Sequence, residues 1–322
     1  MKEKNNKVNY LPQWNYRKEI VLLSFSLLFF FSLKINIFAQ QDPQYSQYMF
    51  NQLAINPAYA GAKEAISTTM FYRDQWGFDG APKTGSLTVH SPMRKRKVAL
   101  GFAFTNDRIG PKNTNGILGS YAYRIKLGKG KLSMGLRLGI YQYKYSYGEH
   151  DFEEANDQFN APSTVITYTA DAGVYYYTNT TYAGLSMTHL DRGHLQKPIG
   201  STIDSSRLEY HVFLTGGKAW ELSEKLIFNP SFMLKAVKNS PPTADINLSF
   251  LLQQRLWLGI SARIKYGIVA YTQFYINNKF KIGYAYDFGI NKPARQLGST
   301  HEIMLSYDFS MSKPPFVSPR YF

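Results

Sequence analysis

Leu256–Lys265 reads Leu-Trp-Leu-Gly-Ile-Ser-Ala-Arg-Ile-Lys, and its alternation of residue types decides the fold of the chain. Every second residue is aliphatic, and the positions between carry Gly, Ser, Arg and Lys with one Trp. Successive side chains of a strand point to opposite faces, so this stretch predicts a strand with one apolar and one polar face. The same pattern recurs from about Ile66 to Phe309 without a strong helical period. Lipid outside and a polar lumen inside a transmembrane β-barrel would produce it.

Fourteen segments carry this strand pattern. They lie near residues 66–72, 84–90, 97–105, 116–127, 131–145, 167–177, 180–188, 208–217, 225–235, 243–252, 256–265, 267–277, 279–288 and 300–310. An even strand number puts both ends of the chain on the periplasmic side, as in single-chain bacterial barrels. We therefore predict an all-β fold, a transmembrane antiparallel β-barrel of about 14 strands.

The connections between these segments alternate in length. If the first is external, the periplasmic turns are all brief, at 91–96, 128–130, 179, 219–224, 253–255 and 278. The external connections are longer, apart from a tight turn near Tyr266, and lie at 73–83, 106–115, 146–166, 189–207, 236–242 and 289–299. This asymmetry is typical of outer-membrane barrels. A secreted β-sandwich, which also favours Tyr and Phe, has no reason to show it.

The first 39 residues are predicted to be a secretory signal peptide. Ile20–Phe31 is an apolar run of twelve residues, whereas a membrane-spanning helix needs about 20. Ile37-Phe38-Ala39 then supplies the small-residue spacing of a cleavage site after Ala39. The alternative is an uncleaved membrane anchor, which Lys34 and Asn36 disfavour because they interrupt the apolar segment. We expect an exported protein located in the outer membrane.

The chain is basic, with 37 Lys and Arg against 22 Asp and Glu, a net charge of +15. Without the signal peptide the balance is 31 against 20, or +11. No nucleic-acid-binding motif accompanies this charge. Because a lipid-facing Arg or Lys costs about 2–4 kcal/mol at mid-membrane, charges on strands should face the lumen. We therefore predict a net basic lumen lined by Lys97, Arg124, Lys126, Arg137, Lys225, Lys235, Arg263, Lys265, Lys281, Asp171, Glu209, Asp287 and Asp308.

Catalytic and metal-binding patterns are weak. The chain has no cysteine, which excludes disulfides, thiolate chemistry and a lipidated Cys. It shows no nucleophile elbow, phosphate loop or dinucleotide fingerprint, so we expect neither an enzyme nor a cofactor. His189, Asp191 and His194 could bind a divalent metal, and the acidic run from Glu149 to Asp157 could bind calcium. No helix fixes the geometry of the first set, in which Gly193 adds freedom, and the acidic run lacks the glycine and the spacing of a calcium loop. A solvated external loop is favoured for both.

Residues 40–65 precede the barrel, which we place at 66–310, with a tail at 311–322. Tyr45, Tyr48 and Leu53 have helical spacing, and Asp42 before Pro43 is a suitable N-cap. Asn56-Pro57 would end this short helix. The helix could fill the lumen as a plug or lie beneath it as a periplasmic segment. The candidate plug residues are Tyr45, Tyr48, Phe50, Asn56, Pro57, Ala58 and Tyr59.

Three stretches of the chain closely resemble the PorP/SprF family, outer-membrane proteins of the type IX secretion system in Bacteroidota. They are Asp42–Gly61 (DPQYSQYMFNQLAINPAYAG), Tyr72–Met93 (YRDQWGFDGAPKTGSLTVHSPM) and Asn106–Ile125 (NDRIGPKNTNGILGSYAYRI). The resemblance covers essentially the whole mature chain. It implies a fourteen-stranded barrel related to FadL-type fatty-acid transporters, in whose hatch a tripeptide similar to Asn56-Pro57-Ala58 occurs.

The resemblance also implies a role in protein secretion and cell-surface anchoring, in some members linked to gliding motility. Family members receive the type B C-terminal domain of a secreted cargo protein, often a large adhesin. Others associate with the periplasmic ring and with peptidoglycan-binding components. Membership leaves open which cargo is bound and whether the copy serves the core machine. A FadL-like transporter of hydrophobic small molecules remains the alternative function, and a diffusion porin is a third.

The first external connection holds the candidate partner-binding residues. They are Arg73, Asp74, Gln75, Trp76 and Phe78. Trp and Arg dominate binding hot spots, which favours contact with a partner or cargo. An interfacial Trp with polar neighbours would show the same composition.

Overall fold

The computed structural model describes residues 43–93, 97–146, 163–196, 206–238, 240–264 and 266–309. Within these residues, seventeen strands and one short α-helix follow three 3₁₀ turns, Tyr48–Phe50, Gln52–Ala54 and Pro57–Tyr59. The elements are β1 (Ile66–Gln75), β2 (Lys83–Pro92), β3 (Val98–Ile109), β4 (Lys112–Leu127), β5 (Gly130–Tyr145), β6 (Ser163–Tyr177), β7 (Thr181–Thr188), β8 (His194–Gln196), β9 (Ser206–Arg207), β10 (His211–Lys218), β11 (Trp220–Ser223), β12 (Leu226–Val237), β13 (Thr243–Leu252), β14 (Leu256–Arg263), β15 (Gly267–Tyr275), β16 (Phe280–Gly289), α1 (Lys292–Leu297) and β17 (Thr300–Phe309).

Fourteen of these strands form one closed antiparallel barrel. Consecutive strands pair from β1 to β7, then β7 pairs with β10, β10 with β12, and pairing continues to β17. The barrel closes where β1 pairs with β17, in a register from Ile66 opposite Phe309 to Gln75 opposite Thr300. The three short strands lie outside this cycle, since β8 pairs with β9 and β11 pairs only with β12. The predicted fold class is confirmed, and all fourteen predicted segments are barrel strands.

The two faces of each strand differ as the alternation predicts. In β14, Leu258 and Ile260 are 43% and 55% exposed on the outer face, whereas Trp257 and Arg263 are 1% and 5% exposed on the inner face. A closed barrel satisfies all its backbone hydrogen bonds between strands, which allows it to lie in lipid. The protein is therefore an outer-membrane barrel. Among the described residues, no helix is long and apolar enough to cross a membrane.

Short turns lie at one end of the barrel and longer connections at the other. The end that contains Ile66 and Phe309 has the connection between β2 and β3, turns at 128–129, 178–180, 253–255 and 276–279, and the hairpin of β11 at 219–225. We assign this end to the periplasm, because outer-membrane barrels have short periplasmic turns. The predicted external loop at 106–115 is wrong, since only residues 110–111 separate β3 from β4. The Asn106 side-chain amide donates to Asn113 and Asn115 across the hairpin, so these polar residues continue the ladder.

The segment before β1 lies inside the barrel. Tyr48, Leu53 and Tyr59 are at most 2% exposed and contact inward-facing side chains. The single helix predicted here is wrong, because the chain forms three separate 3₁₀ turns. Side chains of the barrel wall bind its backbone groups and so replace the hydrogen bonds of a longer helix. Residues 1–42 and 310–322, with the predicted signal peptide, Asp42 and the tail, lie outside the described residues.

The fully buried charges of the lumen do not show the positive excess that the sequence predicts for the interior. Among the described residues, five basic and five acidic side chains are buried in the barrel: Arg73, Arg124, Arg137, Lys235, Arg263, Asp107, Asp171, Asp245, Asp287 and Glu302. Lys126 and Lys225, predicted to line the lumen, are exposed at the periplasmic end. Lys265 lies outside the described residues. Buried charges are costly unless paired, which accounts for the balance.

Candidate functional site

We call residues 43–62 the lumen segment, and its outer part is bound by carboxylates of the barrel wall. Glu302 of β17 accepts hydrogen bonds from the backbone N–H groups of Ser46 and Gln47, both at 2.8 Å. The Ser46 hydroxyl donates to Asp287 of β16 at 2.7 Å. Arg73 of β1 pairs with Asp287 at 2.7 Å and with Glu302 at 3.2 Å. The Arg73 guanidinium thus bridges the two carboxylates that hold the lumen segment and offsets part of their charge.

A second arginine extends this cluster around the barrel. Arg263 of β14 pairs with Asp245 of β13 at 3.1 Å and with Asp287 at 3.5 Å. Both side chains are nearly inaccessible, at 4% and 1% exposure. Asp287 therefore lies between two guanidinium groups, and the network links β1, β13, β14, β16 and β17. A buried network of this kind is stable only while all its members are present.

The middle of the lumen segment is bound from the opposite wall. The Arg137 guanidinium of β5 donates to the carbonyl oxygens of Leu53 at 2.9 Å and Ala54 at 3.3 Å. Arg137 also forms an ion pair with Asp171 of β6. The Ser186 hydroxyl of β7 donates to the carbonyl of Ile55 at 2.7 Å. These donors satisfy carbonyl groups that a 3₁₀ turn leaves free.

Asn56-Pro57-Ala58 sits against glycines of the wall. Asn56 caps the third 3₁₀ turn, because its Oδ1 accepts from the Ala58 N–H at 2.9 Å, and its Nδ2 donates to the Val174 carbonyl at 3.0 Å. A Cβ atom at Gly173 would lie 2.2 Å from Asn56 Oδ1, and one at Gly135 would lie 2.3 Å from the Ala58 nitrogen. Only glycine permits this close approach at the two positions. The tripeptide is therefore held by shape as well as by hydrogen bonds.

Aromatic rings fill the space beside the lumen segment. Phe50 packs against Trp257 and Tyr271, with ring centroids 6.1 and 5.9 Å away. Tyr59 packs edge-on against Tyr175 at 5.4 Å. All seven predicted plug residues are buried. One cavity between the segment and the wall, beside Ile55 and Phe213, has a volume of about 50 Å³, which is room for water rather than for a ligand.

The periplasmic end of the lumen segment is also tethered. The Gly61 carbonyl accepts from Arg124 of β4 at 2.6 Å, and its N–H donates to His90 of β2 at 3.1 Å. Lys63 follows, 4.0 Å from Asp308 of β17. Burial lowers the pKa of the Lys63 ammonium to about 8, although Asp308 acts in the opposite direction. The segment therefore runs from the external part of the lumen at Ser46 to the periplasmic mouth.

The five predicted partner-binding residues do not lie together in one external loop. β1 extends through Gln75, so Arg73, Asp74 and Gln75 belong to the strand, and Arg73 is buried in the lumen network. The predicted loop position of these three residues is therefore wrong. Trp76 and Phe78 do lie in the connection, with parallel rings 6.2 Å apart, and Phe78 is 45% exposed.

Trp76 joins neighbouring external connections. It adopts a left-handed backbone conformation with φ of 70°, which is rare for a bulky residue and is frequently found at functional sites. The backbone N–H of Trp76 donates to the backbone carbonyl of Ser299 at 3.0 Å, and Ser299 lies in the connection that contains α1. The connection that contains Trp76 also contacts the β3–β4 turn, because the Gly110 N–H donates to the Gly80 carbonyl at 2.9 Å. Residues 76–82, 110–111 and 290–299 thus meet, and we call them the external platform.

The candidate metal site is not assembled in the described residues, where no group of three or more His, Cys, Asp or Glu residues could hold a metal ion. His189 is buried, which corrects the expectation of a solvated loop residue, and its Nδ1 lies 2.9 Å from the Thr169 hydroxyl. Asp191 accepts from the Ala170 N–H at 3.2 Å. The side chain of His194 and the acidic run 149–157 lie outside the described residues.

Sequence reasoning missed Glu302 and Asp245 of the lumen network. A signal was present, because Thr300, Glu302, Met304 and Ser306 alternate with the apolar residues of the last strand. The glycines at positions 135 and 173 carry no comparable signal. Their role depends on what crosses the lumen opposite them, which a strand pattern does not encode.

Comparison with solved structures shows likeness to several outer-membrane proteins at low identity. A Pseudomonas aeruginosa FadL homologue matches at 12% identity and a TM-score of 0.46, over 83% of this chain and 95% of that one. The Ralstonia pickettii toluene transporter TbuX matches at 10% identity and 0.46, over 82% and 94%. The Acinetobacter baumannii outer membrane protein Omp33 matches at 11% identity and 0.42, over 76% and 96%.

No curated protein matches the chain. One family matches at the level of sequence, over residues 37–307, and its description is type IX secretion system membrane protein PorP/SprF. The match includes the lumen segment, the external platform and the fourteen barrel strands except the last two residues of β17. The chain therefore belongs to the PorP/SprF family of type IX secretion system membrane proteins.

Proposed function

We propose that this barrel binds a secreted surface protein of the type IX system and anchors or escorts it at the outer membrane. The observation that carries the proposal is the lumen segment, which is bound to the wall along its length by Glu302, Arg137 and Arg124. A barrel whose interior is occupied in this way is suited to holding a partner rather than to passing solutes. The proposal assigns binding, and no catalysis, to the protein.

The external platform is the proposed contact surface for the cargo. It carries the strained Trp76 and the exposed Phe78, and large aromatic side chains contribute most of the energy of protein interfaces. Three connections support one another there through backbone hydrogen bonds. A preformed surface loses less conformational entropy on binding than separate loops would. The family match supports a cargo with a type B C-terminal domain, and periplasmic components of the secretion system as further partners.

The test is an affinity capture of the tagged protein from detergent-solubilised outer membranes, followed by mass spectrometry. We expect a large secreted protein to be recovered through its C-terminal domain. The variant Trp76→Ala with Phe78→Ala should lose this protein. The matched control is Ile166→Ala with Tyr168→Ala, which removes outward-facing side chains that are 61% and 70% exposed elsewhere on the external half.

Two outcomes would contradict the proposal. Equal loss of cargo from both variants would show that the platform has no special role. Recovery of lipids or small apolar molecules alone would favour a transporter of hydrophobic molecules. That function requires a pocket far larger than the cavity of about 50 Å³ beside the lumen segment.

A further inference from the structure

Part of the excess positive charge of the described chain forms a cluster at the periplasmic end of the barrel. The buried charges of the described lumen are balanced, five against five. Six exposed cations lie instead at the periplasmic turns and the strand ends beside them. We call these six residues the basic crown: Lys97, Lys126, Lys129, Lys225, Arg255 and Lys279.

The basic crown is spread around the mouth of the barrel. Its members come from five of the six periplasmic connections, namely β2–β3, β4–β5, β11–β12, β13–β14 and β15–β16. The exception, between β6 and β7, has the sequence Thr178-Asn179-Thr180. Because neighbouring hairpins each contribute, the positive potential surrounds the mouth instead of marking one side of it.

The strand register places three crown residues, Lys126, Arg255 and Lys279, on the lumen-facing side of the rim. Lys126 lies directly opposite Lys131, which pairs with Glu64 just after the lumen segment. The Arg255 carbonyl accepts from the N–H of Tyr275, whose ring lies 5.0 Å from the Lys281 ammonium inside the mouth. The Lys279 carbonyl accepts in the same way from the N–H of Asp308. These three cations therefore face the barrel axis and the periplasm.

The outward-facing positions beside the crown are different. Ile125 and Leu127, which flank Lys126, are 38% and 49% exposed on the lipid side. Of the cations that the structure describes at this end, Lys218 points outward, and its ammonium lies 5.2 Å from the ring of the exposed Trp220. A Lys beside a Trp is the usual arrangement at a lipid headgroup boundary. The crown lacks this arrangement, which disfavours phospholipid as its partner.

The carboxylates near the crown do not compensate its positive charge. Glu64 pairs with Lys131, and Asp308 pairs with Lys281. The other acids at this end among the described residues are Glu221 and Glu224, on one hairpin. Within the described part of the chain, no crown residue forms an ion pair with them or with any other carboxylate. Six like charges held around one opening repel each other, and an acidic partner would relieve that repulsion.

We propose that the basic crown is a docking surface for an acidic protein, which would sit on the barrel axis at the periplasmic mouth. This goes beyond the proposed function, which places the cargo on the external face and assigns no surface to a periplasmic partner. Charge complementarity around a ring would orient the partner over the mouth and speed its association. The end of the lumen segment at Gly61 and Lys63 lies at the same opening, so the partner would also contact its tether.

The test uses the full-length protein in phosphatidylcholine nanodiscs, with fluorescent poly-L-glutamate as the probe and anisotropy as the readout. The crown variant is Lys126→Glu with Lys225→Glu and Lys279→Glu. The matched control is Arg108→Glu with Lys144→Glu and Lys238→Glu, three exposed cations of the external half. Both variants change the net charge by the same amount. All six sites are exposed, and heat-modifiable gel mobility checks that each variant has folded.

We expect the crown variant to raise the Kd for poly-L-glutamate by at least about tenfold and the control variant by less than about threefold. Replacement of the three crown residues by Gln should give an intermediate loss. Equal weakening in both variants, or none in the crown variant, would overturn the proposal. So would a crown variant that binds the probe normally but loses affinity for phosphatidylglycerol vesicles, because that result assigns the crown to lipid. Cargo capture at the external platform is measured separately and should not change.

Discussion

Arg73 of β1 and Asp287 of β16 form an ion pair of 2.7 Å although β17 lies between their strands. Both side chains are almost inaccessible, at 4% and 0% exposure. The pair spans the strand that closes the barrel and at the same time holds Ser46 of the lumen segment, which bonds to both partners. Closure of the barrel and occupation of its interior are therefore coupled through one guanidinium.

Arg73→Ala should destabilise the barrel strongly. The substitution leaves Asp287 and Glu302 buried with less positive charge beside them, and breaking a buried pair in this way costs about 3–5 kcal/mol. Urea-induced unfolding in lipid vesicles, followed by tryptophan fluorescence, measures the loss. The control is Lys83→Ala, whose exposed ammonium lies 3.9 Å from Asp74 and should contribute about 1 kcal/mol or less. Equal effects would show that the network does not stabilise the barrel.

Deleting residues 42–56 should raise the single-channel conductance in planar bilayers. The deletion removes the contacts to Glu302, Arg137 and Ser186 and leaves polar groups facing an open lumen. Current at a fixed voltage, compared with that of the full chain, is the measurement. Unchanged conductance in a folded variant would mean that the lumen segment does not limit passage.

Gly173→Ala should displace the Asn56-Pro57-Ala58 turn. The new methyl group would lie 2.2 Å from Asn56 Oδ1, so the turn or the wall must move. We expect faster cleavage of the lumen segment by added protease, detected by mass spectrometry, and a higher basal conductance. Gly85→Ala is the control, since a Cβ atom there has no neighbour within 4 Å. Indistinguishable behaviour of the two variants would argue against close packing of the turn.

A disulfide can test the position of the lumen segment directly, because the chain has no cysteine of its own. The double variant is Asn56→Cys with Gly173→Cys. The Cγ atom of Asn56, which the sulfur of the new cysteine at that position replaces, lies 3.0 Å from the position of a Cβ atom at residue 173. The two cysteines are therefore close enough to form a bond. We expect the disulfide to form under mild oxidation. Because it holds the lumen segment to the barrel wall, it should also prevent a rise of single-channel conductance when urea is added. Asn56→Cys with Gly119→Cys is the control and should remain reduced. Failure of the first pair to cross-link would contradict the placement of the turn.

Local alternation predicted the barrel well because each strand has to satisfy two environments at once. Leu258 and Ile260 face lipid and Arg263 faces the lumen, so the two faces of β14 can be recognised without knowledge of its neighbours. The strand boundaries at the external ends of the barrel were predicted less accurately. Asn106 and Asn115 have the composition of a loop, but they pair across a hairpin and extend it.

The candidate site was only partly predictable. The seven plug residues were recognised as one segment, and all are buried as a plug requires. Arg73 was placed in an external loop because it precedes Trp76, whereas its burial depends on Asp287 and Glu302, more than 200 residues away in the sequence. Contacts between such distant positions leave no pattern in a local window.

The sequence by itself determined the fourteen strands, their two faces, the family, and which end of the barrel faces the periplasm. These follow from periodicity, turn length and motif, which are local properties of the chain. Only the tertiary structure decided that the fully buried lumen charges are balanced and that Gly135 and Gly173 admit the Asn56-Pro57-Ala58 turn. It also decided that, within the described residues, exposed cations without a carboxylate partner surround the periplasmic mouth. Those features depend on which residues meet across the lumen or around the rim. These contacts form only when the sheet closes, because closure brings together strands that are far apart in the sequence.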